Sequence, residues 1–296
     1  MKIRIDRRLP LPGIPSASGI ASTPQGLFVI GDDSPWLYRL DPDYRIVERI
    51  RIHPADPVPG TGRIPKIAKP DFEALAVRET STGSELFVFG SGSLQRTREV
   101  LAIVDAQSPD PSRLLDISAY YATLRATAGI DAGTLNIEAA VICGDVLYLF
   151  DRGSPVIASC NLRALLAHLD HGAACPVPHV RRVPLPSLAG RAAGFSGATR
   201  LPDPESFLFT ASVECSDNPL EDGEIIGSFL GLLDATSSGC AVRWCEPLRD
   251  AGAAVLPIKV ESVTVLRRDA RGCYRLLLVT DGDDGDSEIL EATLEP

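Results

Sequence analysis

The sequence lacks a long apolar run, a basic excess and any paired-cysteine motif, and each absence excludes a class of protein. No apolar run approaches the roughly 18 residues of a membrane-spanning helix, so we expect no such helix. The first eight residues alternate charged and apolar side chains without the apolar core of a secretory signal, which predicts a strand. The seven cysteines form no C-x-x-C pair, so we expect reduced thiols and a cytoplasmic location.

The charge balance is acidic. Asp and Glu number 39 against 29 Lys and Arg, giving a formal net charge of −10. Such a surface neither releases counterions from a nucleic acid backbone nor is attracted to anionic lipid. Nucleic acid and membrane are therefore excluded as expected partners, while a small molecule, an anionic ligand or a protein partner is left open.

Glycine and proline punctuate the chain throughout, with 25 and 24 copies in 296 residues. This frequency is too high for long helices and is typical of short strands joined by turns. Five segments can be superimposed, and each is a strand of small residues, a turn, and a strongly apolar strand that ends in polar residues. They are 17–33, 72–91, 137–152, 195–212 and 260–281.

A third strand follows in most of these units, and a fourth with alternating polarity is visible at 45–52 and 180–185. Four antiparallel strands per repeat make a propeller blade. One Ser/Glu position recurs at 18, 73, 138, 196 and 261, so the intervals are 55, 65, 58 and 65, with 53 residues left to close the circle. The spacing predicts an all-β, five-bladed propeller formed by residues 1–296 as one domain, whose N-terminal strand completes the last blade. The alternative, a six-bladed propeller, requires an interval of about 90 residues, since a blade takes roughly 40 to 50.

Two longer intervals contain predicted short helices. Residues 117–129 hold one, and residues 161–169 hold the other, with Asn161 as its N-cap. Both are expected to decorate the propeller, either as lids over its central mouth or as packing on its rim.

Antiparallel pairing brings the starts of the first strands and the ends of the second strands to one mouth. The first strands contribute the recurring Ser/Glu position and, two residues earlier, Asp71, Asn136 and Lys259. The second strands contribute a further set of mostly polar residues: Asp32, Asp33, Ser91, Ser93, Asp151, Arg152, Ser212, Glu214, Asp281, Asp283 and Asp284. The sequence therefore predicts an acidic central mouth that binds a small polar or anionic ligand, with Asp33, Asp71, Asn136, Asp151, Arg152, Lys259 and Asp281 as candidate ligand-binding residues.

Three of the recurring positions are Glu73, Glu138 and Glu261. Around a narrow axis these carboxylates would repel one another, which raises pKa values or requires a cation. Oxygen ligands suit calcium, magnesium or manganese, so we predict a divalent-cation site. The alternative is that each carboxylate accepts backbone N–H groups and ties neighbouring blades together.

Basic residues also reach this face of the predicted fold. Lys66 and Lys69 precede a first strand, and Arg96 and Arg98 follow a second strand, so they either help to hold an anion or are exposed rim charges. The segment 281–286, rich in Gly and Asp, lacks the spacing of a calcium loop and predicts a hairpin turn.

Other chemistries are disfavoured. Segments 194–198 and 90–93 miss the G-x-S-x-G pattern, and no glycine-rich phosphate loop precedes a helix. The four histidines lie in outer strands or rim segments, away from the predicted mouth: His53, His168, His171 and His179. A Ser-His-Asp triad and a nucleotide site are therefore not expected.

The repeat of Glu, a small residue and an apolar residue, then a turn and an apolar strand ending in Asp or Gly, resembles the units of phytase-like and esterase-like β-propellers. Within that group the chain is most similar to a bacterial family of unknown function. The resemblance implies calcium ligated in the central channel by Glu73, Glu138 and Glu261. If the protein is an enzyme, it implies a metal-dependent phosphoric or carboxylic ester hydrolase, with these Glu as ligands or general base and Arg152 or Lys259 steadying the anion. The alternative function is a non-catalytic ligand- or protein-binding scaffold.

Overall fold

A computed structural model of the protein describes residues 1–109, 112–202, 206–215, 223–236, 239–282 and 287–296. Its main strands form five antiparallel sheets of four strands, and the innermost strands contact one another around a ring. This architecture confirms the five-bladed β-propeller that the repeat spacing predicts, and it is not the six-bladed alternative. Within each blade the strands follow chain order from the axis outwards, except that the first strand of the chain lies in the last blade.

The blades are numbered from the first sheet that the chain completes. Blade 5 is closed by β1 (Lys2–Pro10). Blade 1 comprises β2 (Ala17–Thr23), β3 (Gly26–Gly31), β4 (Trp36–Leu40) and β5 (Ile46–Arg51). Blade 2 comprises β6 (Phe72–Thr80), β7 (Gly83–Gly90), β8 (Val100–Asp105) and β9 (Arg113–Asp116). Blade 3 comprises β10 (Ile137–Cys143), β11 (Val146–Asp151), β12 (Val156–Asn161) and β13 (His179–Arg182).

A two-stranded hairpin, β14 (Ser187–Leu188) and β15 (Arg191–Ala192), precedes the fourth blade. Blade 4 comprises β16 (Gly194–Arg200), β17 (Ser206–Cys215), β18 (Glu224–Thr236) and β19 (Gly239–Pro247). The other strands of blade 5 are β20 (Lys259–Arg268), β21 (Tyr274–Asp281) and β22 (Ser287–Glu295).

The N-terminal strand closes the propeller as predicted. β1 pairs antiparallel with β22, from Lys2 opposite Glu295 to Pro10 opposite Glu288. The outer edge of β22 is therefore covered by the opposite end of the same chain, so its backbone donors and acceptors do not remain open. Blade 5 joins the two ends of the sequence in one hydrogen-bonded sheet.

Small residues let the five inner strands approach the axis closely. Gly197 in β16 is the clearest case, because a Cβ atom there would lie 2.6 Å from the Cα atom of Ser262 and 2.8 Å from the carbonyl oxygen of Glu261 in β20. No side chain fits at that separation without moving the backbone of the next blade. The apolar second and third strands then fill the space between blades, where Phe195 packs edge-to-face against Phe150 and Phe209 with ring centroids 5.2 and 5.4 Å apart.

Each blade carries a β-bulge at the same place. The pairing between the first and second strands skips one residue in every blade, and the skipped residues are Ser18, Glu73, Glu138, Ser196 and Glu261. A bulge leaves one residue unpaired and redirects its side chain. The recurring Ser/Glu position is therefore a repeated backbone device as well as a repeated residue type.

Both predicted helices are present and pack on the outside of the blades. α1 (Ser118–Ala128) buries Tyr120, Tyr121 and Leu124 in the core shared by blades 2 and 3. α2 (Leu162–His171) begins at Asn161, whose side chain accepts the backbone N–H of Ala164, which confirms the predicted N-cap. In the part of the chain that the structure describes, no helix has the length and apolar character to cross a membrane.

Candidate functional site

A small cavity of about 40 Å³ lies where the inner strands begin. Residues from blades 1, 2, 3 and 5 line it, so it sits at one end of the propeller axis. Its lining consists of Ser16, Ala17, Ser18, Asp32, Glu73, Glu138, Arg152, Lys259, Glu261 and Asp281. We call this set the acidic mouth, because it holds five carboxylates and only two cationic side chains.

Six of the residues predicted for a site meet in this cavity. Glu73, Glu138 and Glu261 all line the acidic mouth, together with Arg152, Lys259 and Asp281. Antiparallel pairing explains the meeting, since Lys259 lies directly opposite Asp281 in blade 5. The starts of first strands and the ends of second strands do converge.

The other four predicted residues lie around the cavity without lining it. Asn136 donates its side-chain amide to Glu138 Oε1 at 2.6 Å and so supports that carboxylate. Asp151 accepts the backbone N–H groups of Asn136 and Ser154 at 2.6 and 2.7 Å, which makes it the anchor of a turn. A one-residue step along a strand reverses the side chain's direction, so the next residue, Arg152, is the one that reaches the cavity.

Asp33 and Asp71 belong to a first group of charges beside the mouth. Lys69 contacts Asp32, and its Nζ lies 2.7 Å from Asp71 Oδ1, while Arg98 Nη1 lies 2.7 Å from Asp71 Oδ2. Burial alone would raise the pKa of Asp71, but Lys69 and Arg98 hold it below its usual value. Lys69 and Arg98 are thus charge partners inside the site.

Asp33 is less well neutralised than Asp71. Its Oδ2 lies 3.3 Å from Arg63 Nε, whereas its buried Oδ1 has no hydrogen-bond partner. Burial, helped by repulsion from Asp32, raises the pKa of Asp33 to about 6. Arg63 also donates to Ser16 Oγ at 2.9 Å. Because Arg63 lies in the connection between blades 1 and 2, outside the repeat, no repeated position in the sequence marks it as a site residue. Among the other basic residues considered, Lys66 and Arg96 are exposed.

A second group of charges connects blades 3, 4 and 5. Arg152 Nη2 lies 2.7 Å from Glu214 Oε1, and Arg152 Nη1 lies 3.6 Å from Glu138 Oε1. Lys259 Nζ lies 2.9 Å from Glu261 Oε1 and 3.3 Å from Glu214 Oε1. Burial would raise the pKa of Glu214, but Arg152 and Lys259 together lower it, so Glu214 is the well-paired acid of this group.

The three Glu of the mouth are poorly neutralised by comparison. Burial is the largest cause that raises the pKa of Glu138 to about 8; Glu261 repels it and Arg152 only partly offsets this. Burial and then repulsion from Glu138 raise the pKa of Glu73 well above its usual value. Glu261 is only 4% exposed, its pKa is also raised by burial despite Lys259, and its Oε2 has no hydrogen-bond partner. The predicted mutual repulsion is therefore present, although desolvation is the larger effect.

The two serines of the recurring position tie the blades together. Ser18 Oγ donates to the carbonyl of Phe72 at 2.5 Å, and Ser196 Oγ donates to the carbonyl of Val260 at 2.6 Å. Phe72 and Val260 directly precede a Glu of the next blade. Within the described residues, the polar contacts of Glu138 and Glu261 are with side chains and not with backbone N–H groups. The backbone contacts that tie neighbouring blades at this position are thus made by the serines, whereas Glu138 and Glu261 form ion pairs.

The acidic mouth offers oxygen ligands for a cation. One carboxylate oxygen from each of Asp32, Asp71 and Glu73 lies within 4.8 Å of the others. No histidine and no residue of α1 or α2 is part of the lining, so in the described residues neither helix covers the mouth. Asp283 and Asp284, with the rest of the predicted hairpin at 283–286, lie outside the described residues.

Comparison with known proteins supports the fold. The solved structure of Myxococcus xanthus glutaminyl cyclase matches with a TM-score of 0.52 and 13% identity, over 98% of this chain and 95% of that chain. The tail fibre of Staphylococcus aureus phage P68 matches with a TM-score of 0.49 and 12% identity; this whole chain spans only 53% of that fibre. At 13% identity the likeness to the glutaminyl cyclase concerns the fold alone. No curated protein matches the sequence. A family model described as "Family of unknown function (DUF6929)" matches residues 13–294, and the chain therefore belongs to that family.

Proposed function

We propose that the acidic mouth binds a divalent cation and, beside it, a small anionic ligand. The observation that carries this proposal is the incomplete neutralisation of its carboxylates. Glu261 pairs with Lys259 through Oε1, but its Oε2 is buried without a hydrogen-bond partner, in a cavity lined by five acids and two bases. A buried carboxylate that is only partly neutralised is costly, and a cation is the simplest group that would lower the cost.

The residues present fit such an ion. Among the described residues, Asp32, Asp71 and Glu73 have carboxylate oxygens close enough to share the ion, and Glu138 and Glu261, which line the same cavity as Glu73, would complete the ligand set. An all-oxygen set of this kind suits calcium, with magnesium as the competitor. Without the ion, the raised pKa values mean that protons partly neutralise these carboxylates, so cation binding would release protons. When bound, a divalent ion can polarise an ester and lower the pKa of a bound water.

Arg152 and Lys259 are the candidates for contact with an anionic ligand. Both line the cavity. Arg152 forms ion pairs with Glu138 and Glu214, and Lys259 forms ion pairs with Glu214 and Glu261. A cation that neutralises the mouth carboxylates would weaken these ion pairs and leave the guanidinium and ammonium groups able to orient an anion. Hydrolysis of a phosphoric or carboxylic ester is the reaction that this arrangement and the phytase-like and esterase-like resemblance together favour.

A second candidate function is a non-catalytic ligand- or protein-binding scaffold. The ion pairs favour it, because Lys69, Arg152 and Lys259 already neutralise several acids without help from a ligand. On this account the mouth charges only hold the blades together. The two functions differ in whether the protein responds to a metal.

Thermal unfolding with and without calcium separates them. A site filled at about one hundred times its Kd stabilises the folded state by about 2.7 kcal/mol, which corresponds to a rise in Tm of roughly 4–5 °C for a domain of this size. We expect that rise with millimolar calcium chloride and its loss in the triple variant Glu73→Gln, Glu138→Gln, Glu261→Gln. The matched control replaces three exposed acids and should respond like the original protein: Asp43→Asn, Asp56→Asn and Glu246→Gln.

The metal-free triple variant gives an independent result. Removal of buried, mutually repelling carboxylates should raise its Tm at neutral pH above that of the metal-free original. An original protein whose Tm changes with neither calcium nor magnesium would exclude the cation site and favour the scaffold function. Hydrolysis is then tested with p-nitrophenyl phosphate and p-nitrophenyl acetate, by measuring the release of p-nitrophenol in calcium and in EDTA. Turnover that persists in EDTA or in the triple variant would exclude the metal-dependent reaction.

A further inference from the structure

A second cavity, much larger than the acidic mouth, opens at the other end of the propeller axis. It has a volume of about 500 Å³. The far halves of all five inner strands line it, namely β2, β6, β10, β16 and β20. Each of these strands thus runs from the acidic mouth at its start to this cavity at its end. We call the cavity the basic funnel, after the charge of its lining.

The charge of the basic funnel is opposite to that of the protein as a whole. Among the described residues, its lining includes Arg78, Arg200 and Arg267 and one acidic residue, Glu79. A local basic excess in a chain of net charge −10 is not expected from composition. Because the lining residues belong to different blades, the positive charge surrounds the opening instead of lying on one side.

Two of these arginines are available to a ligand. Arg200 and Arg267 are exposed, and across the described ranges neither forms an ion pair. Arg78 is partly buried, and its Nη1 lies 3.2 Å from Glu85 Oε2. The guanidinium fork binds carboxylate or phosphate oxygens through two parallel hydrogen bonds, so an unpaired arginine at a concave opening favours an anion.

The wall of the funnel combines polar groups with aliphatic side chains. The aliphatic side chains that it leaves accessible are Val77, Val265 and Leu266, whereas Ile20 and Leu75 line it but are buried in the blade cores. Deeper in the wall, the buried Thr264 hydroxyl already accepts the backbone N–H of Ser22 at 3.1 Å, so that polar group is satisfied within the protein. The volume falls in the range of about 300 to 1,000 Å³ that is typical of small-molecule sites, whose walls are mainly apolar with a few polar anchors.

We propose that the basic funnel binds a small organic carboxylate with an aliphatic chain, the carboxylate at Arg200 and Arg267 and the chain against the aliphatic side chains of the wall. The charge of the opening disfavours a cation, and these aliphatic side chains disfavour a fully polar anion. This site uses no residue of the acidic mouth, so it does not depend on the cation proposed there. The protein thereby has two ligand sites of opposite charge on one axis.

Calorimetric titration with sodium octanoate in EDTA tests the proposal. Three comparison compounds separate the contribution of the aliphatic chain from that of the negative charge. Acetate lacks the chain, 1-octanol lacks the charge, and octylamine carries a positive charge instead. We expect octanoate to bind at least roughly tenfold more tightly than any of the three, since a charged hydrogen bond and burial of the chain each contribute a factor of that order.

The double variant Arg200→Gln, Arg267→Gln should weaken octanoate binding by roughly tenfold, a value reduced for the exposure of both side chains. Because both residues are exposed, the variant should fold, and an unchanged Tm would establish that. The matched control, Arg45→Gln with Arg163→Gln, removes two exposed arginines elsewhere on the surface and should bind like the original.

Two results would overturn the proposal. One is octanoate binding that is no tighter than binding of octylamine or 1-octanol. The other is octanoate binding that survives the double variant unchanged. Octanoate binding that is also retained by the Glu73→Gln, Glu138→Gln, Glu261→Gln variant would show that the funnel acts independently, whatever the outcome of the calcium experiment.

Discussion

Replacement of Glu138 by glutamine should change how the stability of the metal-free protein depends on pH. Glu138 is 5% exposed, and its pKa rises from 4.5 to about 8 in the folded protein, mainly through burial. Glutamine keeps the shape of the protonated acid and an oxygen that can accept the Asn136 amide. The substitution therefore removes the ionisation with little change in packing.

The direction of this pH dependence follows from the numbers of protons that the folded and unfolded states bind. Below about pH 4.5 Glu138 is protonated in both states, so its ionisation contributes no pH dependence there. Between that value and about pH 8 the unfolded chain releases the proton while the folded protein keeps it, so the free energy of unfolding of the original falls as pH rises. Each pH unit in this window costs up to about 1.4 kcal/mol, so the variant should gain about 2–3 kcal/mol relative to the original between about pH 5 and about pH 7.

Urea unfolding at several pH values in EDTA measures this difference. Relief of repulsion on Glu261 and Glu73 acts in the same direction, so the gain should not reverse. The control Glu246→Gln, on an exposed residue of β19, should follow the original at every pH. A Glu138→Gln variant whose stability difference is flat between about pH 5 and about pH 7, or falls, would refute the claim that this carboxyl is buried and poorly neutralised.

Two further predictions concern the fold. Gly197→Ala should destabilise the protein by about 1–3 kcal/mol in urea unfolding, because its Cβ would lie 2.8 Å from the carbonyl oxygen of Glu261. The control Gly252→Ala should cost clearly less, because its Cβ would meet only the side chain of Asp250, at 3.3 Å from Oδ1, and no backbone atom; equal effects would contradict the close-approach argument. Ser18→Ala should cost about 1 kcal/mol, because the buried carbonyl of Phe72 loses the serine hydroxyl as a donor, and no measurable loss would argue against a blade-tying role.

Most of the architecture could be predicted from the sequence because a propeller repeats one unit. The recurring Ser/Glu position marks a β-bulge in all five blades, so its spacing counted the blades correctly. The alternating N-terminal strand revealed blade closure, since only an outer strand needs one polar face. The outer strands of blades 2 and 4 were not predicted from the sequence, because β9 is only four residues long and β19 carries no repeated residue.

The membership of the candidate site was predictable in part, since six of the ten predicted residues line the cavity, and its ion pairs were less predictable. Strand alternation and register identified Glu73, Glu138 and Glu261 as neighbours. The sequence could not show which cation pairs with which acid, because Lys69 and Arg98 act from segments between strands. The basic funnel could not be predicted from the sequence for a related reason. Its arginines occupy different positions along their strands, so they do not share one position of the repeat.

The central claim, a divalent cation in the acidic mouth, is tested most directly by crystals grown or soaked with manganese, whose anomalous signal locates the ion without assumptions about activity. We predict an anomalous peak on the propeller axis, with carboxylate oxygens of Glu73, Glu138 and Glu261 at roughly 2.0–2.6 Å from it. A map that shows only water between those carboxylates, at a manganese concentration in the millimolar range, would contradict the claim and leave the carboxylates as structural charges.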